Sequence, residues 1–556
     1  MVGTPRYRPR YRVVLQARTT STRLPGKVLL PLCGLPITVL AARRAARDGV
    51  ETVVATSNDR SDDRLAETLH RHQVRYLRGP LEDVLARFVA ATADLDDDDI
   101  CVRLTSDNVF PDGDFVRRLV EAAEQSAQGY TGLSGGADGL PYGLSGEAMR
   151  VGLLRQADRG TRDPHDREHV TPWVIRRCGR HAPSLPRVDA LDLSNLRCTI
   201  DTLEDYRAVR SALAGLEDPV LAPWPDLCRR LAHWSQRAQP AVPARIVAGE
   251  LQASLVLGGA QFGMAYGIAN RAGKPDDHEL QAIIDLAERA GVSHLDTAAG
   301  YGDSEARIGA ALASDSPLSI VTKLPPSLLD GQPPASEAEQ RVHVAIDRSL
   351  WLLQRPRLEA VLLHRFEHYG GVHGAIWQTL LSLKNDGKIG RIGASVYQPE
   401  ELAALLQDPD VGLVQIPFNI LDRRWLEPAI QRAVAARPDV VLHGRSALLQ
   451  GLLTVDDPVQ WPIADRDLAR RCIGPLQDLV KDLGRESLID LCLAYARAQP
   501  WLAGVVVGAE TAAQMAQNVH LFRTPPLTME QAEAGLGALP SPLPEQLLNP
   551  ALWPRS

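Results

Sequence analysis

Cysteine is scarce in this sequence, long apolar runs are missing and neither sign of charge dominates. The seven cysteines are scattered over 556 residues without a Cys-x-x-Cys pair, so we expect neither a disulfide framework nor a zinc site. No uninterrupted apolar run approaches the roughly 18 residues that a membrane-spanning helix requires. The first residues also lack the apolar core of a secretory signal, and we therefore expect a cytoplasmic protein without a membrane partner.

The charge balance argues against nucleic acid as a partner. The formal net charge is −7 at pH 7, with 45% hydrophobic and 23% charged residues. Such a chain has no overall attraction to nucleic acid, and its composition is ordinary for a globular protein. At 556 residues the chain is too long for a single hydrophobic core, so that we expect several domains.

Strand-like runs alternate with amphipathic helical stretches along both halves, which is typical of α/β architecture. In the first half, Tyr11–Leu15 and Thr52–Thr56 have the pattern of strands, and Pro36–Arg47 has that of a helix. The alternation stops over 237–244, where Pro240 and Pro243 stand among small residues. We therefore predict a first domain over 1–235, a linker over 236–250 and a second domain over 251–556.

The second half contains eight strand-like runs. They are Leu255–Leu257, His294–Asp296, Ile320–Lys323, Ala360–His364, Ile392–Ser395, Val414–Ile416, Val440–His443 and Val505–Val507. Helix-like segments such as 277–290 and 337–353 separate the early runs. This count fits a closed parallel (β/α)8 barrel, although an open doubly wound sheet would produce the same alternation.

Four polar residues follow the ends of three of these runs. Asp296, Lys323 and His364 each end a run, and Tyr301 lies in the loop after Asp296. In a (β/α)8 barrel the carboxyl ends of the strands build the active site, so these groups would point into one mouth. Taken singly, each has a plainer interpretation, since an aspartate after a strand is usually a helix cap.

Together the four side chains suit the reduction of a carbonyl group. A tyrosine can donate the proton that the oxygen needs, and a cationic lysine beside it stabilises the phenolate. The carboxylate of Asp296 would fix Lys323, while His364 would orient the carbonyl by hydrogen bonding. A non-redox lyase or isomerase that uses Tyr301 and Lys323 for proton transfer is the alternative.

The order of motifs in this half resembles the aldo/keto reductase family over roughly 255–522. The matching stretches are Leu257–Gly263, Asp296–Ala298, Tyr301–Glu305, Thr322–Lys323, Leu362–His364, Gly387–Ser395, Val414–Gln415, Phe418–Asn419, Ser446–Leu453 and Gly508–Asn518. The resemblance implies a nicotinamide cofactor, NADP or NAD, that lies extended across the barrel mouth without a Gly-x-Gly-x-x-Gly loop.

The resemblance also implies which residues bind that cofactor, and three positions depart from the family pattern. Ser395 and Gln415 would hold the carboxamide, Ser446 would lie near the pyrophosphate, and Gln514 and Asn518 would lie near the adenosine. Val396 replaces the usual asparagine after Ser395, and Arg445 stands at a cofactor-binding position where many relatives carry an aromatic residue that stacks on the nicotinamide. The segment from Gly508 to Glu510 is neutral or acidic where a basic residue often grips a 2′-phosphate, which leaves NAD open.

A loop rich in cations and hydroxyls follows the first strand-like run of the chain. Residues 15–27 carry Arg18, Arg23 and Lys27 together with several serines and threonines and one glycine. Such a loop can hold a polyphosphate through backbone N–H groups and positive charge, although it has no Walker motif. Composition alone would equally allow a solvated basic turn.

The order of residues in this loop resembles the nucleotide-binding motif of the cytidylyltransferases that activate acidic sugars. The subgroup that it resembles most is the spore-coat polysaccharide type. The matches cover about 11–210 and continue at Arg103–Asn108, Pro141–Leu144 with Glu147, Asp166–Pro172, and Arg197–Asp201 with Asp205. The resemblance implies a doubly wound, mostly parallel sheet. It also implies nucleotide contacts from Gln16, Ala17, Arg18, Arg23 and Lys27, Mg²⁺ ligands at Asp107 and Asp201, and acceptor contacts from Arg167 and His169.

These expectations combine into one leading hypothesis. The chain would be a bifunctional enzyme that transfers CMP from CTP to an acidic sugar or phosphorylated substrate and reduces or oxidises a carbonyl. A second hypothesis keeps only the reductase active and makes the first half a nucleotide-binding scaffold. One departure bears on the acceptor loop, because Val109-Phe110 follows Asp107-Asn108 where a proline is usual.

Overall fold

The structure is a computed structural model with two compact units, Met1–Arg237 and Ala238–Ser556. It describes residues 9–553 except residues 22, 134–138, 180, 184, 186–187, 190–191, 238–240, 269, 271–272, 314–315, 464 and 538. Among these residues, no helix is both long and apolar enough to cross a bilayer. All seven cysteines are free thiols, and five of them are buried.

The first unit consists of a sheet, helices and a small hairpin. Its strands are β1 (Tyr11–Gln16), β2 (Pro31–Leu32), β3 (Leu35–Pro36), β4 (Glu51–Ser57), β5 (Tyr76–Gly79), β6 (Ile100–Thr105), β7 (Tyr130–Leu133) and β8 (Gly146–Arg150). Its helices are α1 (Ile37–Ala45), α2 (Asp63–Arg71), α3 (Val84–Ala91), α4 (Gly113–Gln125), α5 (Val151–Gly160), α6 (Pro164–His169), α7 (Pro172–Cys178), α8 (Leu203–Leu213) and α9 (Trp224–Arg237). Short 3-10 turns span Lys27–Leu29, Arg47–Gly49 and Arg60–Asp62.

The main sheet has the order β5-β4-β1-β6-β8-β7. Strands β5, β4, β1 and β6 are parallel, and β8 runs antiparallel to both β6 and β7. The centre of β1 is fully buried at Val13, Val14 and Leu15, which explains its unbroken apolar run. The expected mostly parallel, doubly wound sheet is thereby confirmed.

Arg44 is a buried cation that joins α1 to the loop after β6. Its side chain is 0% exposed, and it donates to the carbonyl oxygens of Val109 at 2.6 Å and Phe110 at 2.9 Å. It also donates to the carbonyl oxygen of Val220 at 3.3 Å. The Val109-Phe110 segment, which lacks the usual proline, is therefore held by a guanidinium.

The second unit contains ten strands within the described residues. They are β9 (Ala244–Val247), β10 (Glu250–Ala253), β11 (Leu255–Gly258), β12 (His294–Asp296), β13 (Ser319–Lys323), β14 (Leu358–Leu363), β15 (Ile389–Ser395), β16 (Val411–Pro417), β17 (Val441–Arg445) and β18 (Gly504–Gly508). The helices of this unit follow the strands in the chain and cover their outer surface.

These helices are α10 (Ala260–Gly263), α11 (Asp277–Arg289), α12 (Ser304–Ala311), α13 (Ala335–Leu352), α14 (Glu367–Gly370), α15 (Ala375–Asn385), α16 (Pro399–Leu405), α17 (Pro428–Ala435), α18 (Arg466–Asp482), α19 (Leu488–Arg497), α20 (Ala512–Arg523), α21 (Met529–Gly537) and α22 (Glu545–Leu548). Short 3-10 turns span Gly371–Gly374, Arg423–Leu426, Leu449–Thr454, Pro458–Gln460 and Pro550–Leu552. Several helices begin at a side-chain cap; for example, Asp276 accepts from the backbone of Glu279 at the start of α11.

Strands β11 to β18 form a closed parallel barrel. Each of the eight predicted runs overlaps one of these strands, and β11 closes the circle by pairing with β18. The closure confirms the barrel and excludes the open sheet. Small and branched side chains such as Val321, Ala360 and Leu413 fill the interior, which packs as a core rather than a pore.

The segment expected as a linker, 236–250, contains regular structure at both ends, and its residues 238–240 lie outside the described part of the chain. Helix α9 continues to Arg237, and β9 and β10 form an antiparallel hairpin over 244–253. Val247 and Ala248 of this hairpin pack against the interior residues of the barrel, and Arg391 pairs with Glu250 at 3.0 Å. The turn residues Ala248 and Gly249 both have positive φ, which is the geometry of a tight hairpin turn. The nearby prolines do not indicate this turn.

Replacement of Arg44 by methionine is expected to destabilise the first unit. The carbonyl oxygens of Val109 and Phe110 would lose their donor while staying buried, which costs about 2–4 kcal/mol in total. Urea unfolding followed by fluorescence measures the change. Arg43→Met on the exposed face of the same helix is the control, and an equal effect of both variants would contradict the assignment.

Two candidate active sites

The barrel site is centred on a buried ion pair between two strand ends. Lys323 Nζ lies 2.6 Å from Asp296 Oδ1, and the two side chains are 1% and 7% exposed. Lys323 also donates to the carbonyl oxygen of Thr297 at 3.0 Å. Gln415 Nε2 donates to the same Asp296 Oδ1 at 2.6 Å. The pair is thus held by contacts from the end of β12 and from β16.

Tyr301 and His364 complete the set above this ion pair. The Lys323 ammonium lies 5.1 Å from the centre of the Tyr301 ring, and the Tyr301 and His364 rings meet edge to face at 5.9 Å. A Cβ on Gly263 would fall 1.7 Å from the carbonyl oxygen of Tyr301. Only a glycine at that position lets the loop that carries Tyr301 approach so closely.

Burial sets the protonation of these groups. Burial, and then the charge of Asp296, raises the pKa of Tyr301 above its usual value of 10.0, so that the phenol keeps its proton at neutral pH. Burial, with the charges of Lys323 and Arg445, lowers the pKa of His364 to about 3. His364 is therefore neutral, and Tyr301 carries a proton that it could donate.

A cleft of about 390 Å³ runs from these groups towards the end of β18. It brings together most of the residues that were expected to bind a cofactor. The cleft is lined by Asp296, Tyr301, Arg445, Ser446, Gly508, Glu510, Gln514 and Asn518, among others. Ser395 and Gln415 are buried beside it, and Gln415 Oε1 has no hydrogen-bond partner among the described residues.

The far end of the cleft is shaped by the turn between β18 and α20. Thr511 caps α20 by accepting from the backbone of Gln514 at 3.1 Å. Gln514 Oε1 accepts from the backbone N–H of Glu510 at 2.7 Å, and Asn518 donates to the carbonyl oxygen of Gly508 at 3.2 Å. Glu510 is the only charged residue at this end among the described residues that line the cleft.

The first unit has a second site, which is built around Lys27. Lys27 Nζ lies 2.7 Å from Asp107 Oδ2 and 2.9 Å from Asp201 Oδ1, and its side chain is 9% exposed. Arg23 also contacts Asp201 Oδ1, at 2.9 Å. Burial alone would raise the pKa of Asp201, but the cations, Lys27 first, lower it below the usual value. Asp201 is therefore charged at neutral pH, and Asp107 lies against the same ammonium.

A hydrogen-bond network lies beneath the loop that follows β1. Arg103 donates to Gln16 Oε1 at 3.2 Å and to Glu147 Oε2 at 2.7 Å, and Thr171 donates to Glu147 at 3.0 Å. The backbone of Ala17 remains bonded to β4. Arg18 reaches across to Glu168 at 3.1 Å. The residues expected to bind the nucleotide thus lie along one stretch, from the end of β1 to Lys27.

Comparison with known proteins accounts for both units. The aldo/keto reductase family model matches residues 254–534, and the cytidylyltransferase model matches residues 12–204. The chain belongs to the aldo/keto reductase family, with a cytidylyltransferase as its first half. It is therefore a nucleotidyltransferase and an aldo/keto oxidoreductase in one chain.

Individual relatives resemble one half or the other. The spore coat polysaccharide biosynthesis protein SpsF of Bacillus subtilis is 34% identical over 36% of this chain and 84% of its own length. A 3-deoxy-manno-octulosonate cytidylyltransferase of Coxiella burnetii is 31% identical over 21% of this chain and 47% of its own. Aldo-keto reductase AKR11C1 of Bacillus halodurans, in its holo form, has 22% identity and a TM-score of 0.44, covering 55% of this chain and all of its own.

Asp62 is a residue of the cytidylyltransferase site that sequence reasoning missed. It is fully buried and accepts from both the backbone N–H and the hydroxyl of Thr19 at 2.8 Å. It also accepts from the hydroxyl of Ser57 at 2.5 Å. The carboxylate therefore ties the nucleotide loop to the end of β4. Its only signal in the sequence is an acid shortly after a strand, which is a common helix cap.

The acceptor contacts expected from Arg167 and His169 stay predictions, and the structure shows the present partners of both side chains. The Arg167 guanidinium pairs with Asp83 at 2.5 Å and with Asp158 at 2.9 Å, and its side chain is 14% exposed. Asp83 caps α3 and Asp158 lies in α5, so Arg167 joins these two helices. His169 lies edge to face with His165 at 4.6 Å. Sequence order placed these residues near the site but gave no information on their partners.

Replacement of Asp62 by alanine is expected to impair the cytidylyltransferase through its nucleotide loop. The loop would lose its buried hydrogen-bond acceptor, so the cations on the loop would be displaced from the positions in which they are expected to bind the triphosphate. The KM for CTP should therefore rise about tenfold to a hundredfold. Pyrophosphate release at varied CTP measures this effect. Asp59→Ala, on the exposed side of the same turn, is the control. Equal KM values for the two variants would contradict the role of Asp62.

Proposed function

We propose that this chain transfers CMP from CTP to an acidic sugar or a related phosphorylated acceptor and reduces a carbonyl compound with a nicotinamide cofactor. The observation that carries the reductase half is the buried Lys323–Asp296 pair beneath Tyr301 at the barrel mouth. For the transferase half it is the pair of carboxylates on Lys27. The names of SpsF and of the octulosonate cytidylyltransferase support a sugar-type acceptor.

The residues of the barrel fit the nicotinamide cofactor that the family implies. The buried Oε1 of Gln415 lacks a donor among the described residues, which suits a carboxamide N–H. The bound cofactor would supply the hydride for the carbonyl carbon. Tyr301 gives its proton to the carbonyl oxygen, and the ammonium of Lys323 stabilises the resulting phenolate. Neutral His364 orients the oxygen as a hydrogen-bond donor.

The charge at the far end of the cleft favours NAD over NADP. Glu510 lies beside the start of α20, where a 2′-phosphate would meet its negative charge. No lysine or arginine lines this end of the cleft among the described residues. A carboxylate repels a phosphate and can accept a hydrogen bond from a ribose hydroxyl. We therefore assign NAD as the preferred dinucleotide.

The first site suits in-line attack on a nucleoside triphosphate. Asp107 and Asp201 lie on one ammonium, so they would hold Mg²⁺ together with phosphate oxygens of CTP, the ligand set that this ion prefers. Lys27, Arg23 and Arg18 would neutralise the triphosphate. An acceptor oxygen forms the new bond to the α-phosphorus as the bond to pyrophosphate breaks. The protein contributes positioning and charge, which dominate this chemistry.

Substitutions in the two sites should separate the two activities. Tyr301→Phe removes the proton donor and should lower carbonyl reduction at least a hundredfold while CMP transfer continues. Asp107→Asn removes a metal ligand and should have the opposite effect. NADH absorbance and pyrophosphate release measure the two reactions. Tyr369→Phe, whose hydroxyl bonds Asp408 elsewhere in the barrel, is the matched control.

The variants of both sites should also fold like the wild-type protein. Circular dichroism and the unfolding midpoint should match those of the wild-type protein. If either substitution abolished both activities in a folded protein, the sites would not be independent and the proposal would be wrong. Product formation by the Tyr301→Phe variant without NADH consumption would point instead to a lyase or isomerase.

The cofactor preference can be reversed by charge at one position. Glu510→Arg should tighten NADPH binding and weaken NADH binding, changing the ratio of their Kd values by at least about tenfold. Titration of cofactor fluorescence measures both constants. Glu530→Arg, on the exposed surface of α21, should leave the ratio unchanged. Tighter binding of NADPH than of NADH by the wild-type protein would contradict the assignment.

A further inference from the structure

Arg445 is a cation in the reductase cleft, at a position expected to bind the cofactor, and the reaction described above gives its charge no role. It ends β17 and lines the same cleft as Tyr301 and Asp296. Its guanidinium lies 4.3 Å from the centre of the Tyr397 ring. The described residues that line this cleft include no other lysine or arginine. Its position at the end of a barrel strand is one from which active-site residues come in this fold.

The hydrogen bonds of Arg445 leave part of the guanidinium available. Nε donates to the hydroxyl of Ser395 at 3.2 Å, and Nη2 donates to the carbonyl oxygen of Val396 at 3.1 Å. A long contact of 3.5 Å joins Nη1 to the hydroxyl of Ser446. A guanidinium has five N–H groups, so two are not accounted for by these partners. One lies on each terminal nitrogen, the arrangement that binds an anion through two oxygens.

The charge of Arg445 has no ionic partner among the described residues. No carboxylate lies within 4.0 Å of its nitrogens in that part of the chain, whereas the neighbouring Asp296 is already paired with Lys323. Arg445 is half-buried, and a partly desolvated charge without a counter-ion is costly to maintain. The Lys323–Asp296 pair is neutral as a unit. Glu510 lies at the far end of the cleft, so the positive charge of Arg445 is uncompensated around the reacting groups.

The influence of Arg445 reaches the reacting groups themselves. Its charge opposes the rise in the pKa of Tyr301 and contributes to the fall in the pKa of His364. Tyr266 lies on the same cleft, and burial raises its pKa to about 12, so that its hydroxyl stays a neutral donor. A substrate placed for proton transfer from Tyr301 would thus lie within the field of Arg445.

We propose that Arg445 binds an anionic group, a carboxylate or a phosphate, on the carbonyl substrate of the barrel. The inference rests on the proposed reductase function and specifies its substrate as an acidic carbonyl compound. The free N–H groups of Arg445 would bind the anion, with Tyr266 as a neighbouring donor. The acceptor proposed for the cytidylyltransferase is also acidic, so both sites would act on the same chemical class.

Matched pairs of aldehydes test this proposal. The first pair is 4-carboxybenzaldehyde and methyl 4-formylbenzoate, and the second is glyceraldehyde 3-phosphate and glyceraldehyde. In at least one pair, the wild-type protein with NADH should show a kcat/KM at least about tenfold higher for the charged member. The pair that shows the preference tells whether the group is a carboxylate or a phosphate.

Variants of Arg445 assign the preference to this residue. Arg445→Gln should reduce the kcat/KM of the charged member at least tenfold more than that of its uncharged partner. Arg445→Lys, which keeps the charge but not the paired N–H groups, should restore part of the preference. Arg470→Gln on the exposed side of α18 should leave the ratio as in the wild-type protein.

Other outcomes would overturn the proposal. An equal loss for both members of each pair would mean that Arg445 only supports the segment around Ser395 and Val396. Weaker NADH binding with an unchanged preference would place Arg445 on the cofactor. Wild-type protein without any preference would also refute it.

Calorimetric titration with benzoate and benzamide repeats the test without turnover. The wild-type protein should bind benzoate at least tenfold more tightly than benzamide, and Arg445→Gln should abolish that difference. Equal binding of the two ligands by the wild-type protein would overturn the inference. Failure to bind or oxidise NADH would instead refute the reductase function, which keeps the two failures distinguishable.

Discussion

A lysine ammonium paired with carboxylates underlies the chemistry of both units. In the barrel, Lys323 is almost fully buried and its charge is tolerated because Asp296 lies 2.6 Å away. The ammonium of this pair lies 5.1 Å from the centre of the Tyr301 ring. In the first unit, Lys27 joins Asp107, in the loop after β6, to Asp201, just before α8. Without Lys323, the buried carboxylate of Asp296 would lack its counter-ion. Without Lys27, the carboxylates of Asp107 and Asp201 would face each other with no ammonium between them.

The same burial that makes these pairs necessary also sets the roles of their neighbours. Tyr301 keeps its proton because it is buried beside the charge of Asp296, and His364 stays neutral because it is buried and lies near two cations. Each unit assembles its site from the ends of its own parallel strands, which is where α/β folds place ligands. The reductase site has a positive charge at Arg445 without an ionic partner among the described residues. In the transferase site, Arg18, Arg23 and Lys27 lie along the loop after β1. Both features favour anionic substrates.

Much of this architecture follows from local patterns, and the remainder depends on contacts between distant segments. Strand-like runs and the polar residues that end them are visible in the sequence, since alternation and burial impose them locally. Closure of the barrel is not, because an open sheet has the same alternation. The hairpin at 244–253 was hidden by flanking prolines, and the partners of Arg167 depend on helix packing. Asp62 was missed because a buried acceptor cannot be distinguished from a surface cap by sequence alone.

Product analysis by mass spectrometry tests the central claim most directly, with the intact protein supplied with CTP, Mg²⁺, NADH and a panel of acidic carbonyl sugars. Two active sites in one chain predict a CMP conjugate formed with release of pyrophosphate. They also predict a reduced product that appears in step with NADH consumption. CTP binding without any pyrophosphate release would make the first unit a nucleotide-binding scaffold. A carbonyl product formed without NADH consumption would contradict the assignment of the barrel as a reductase.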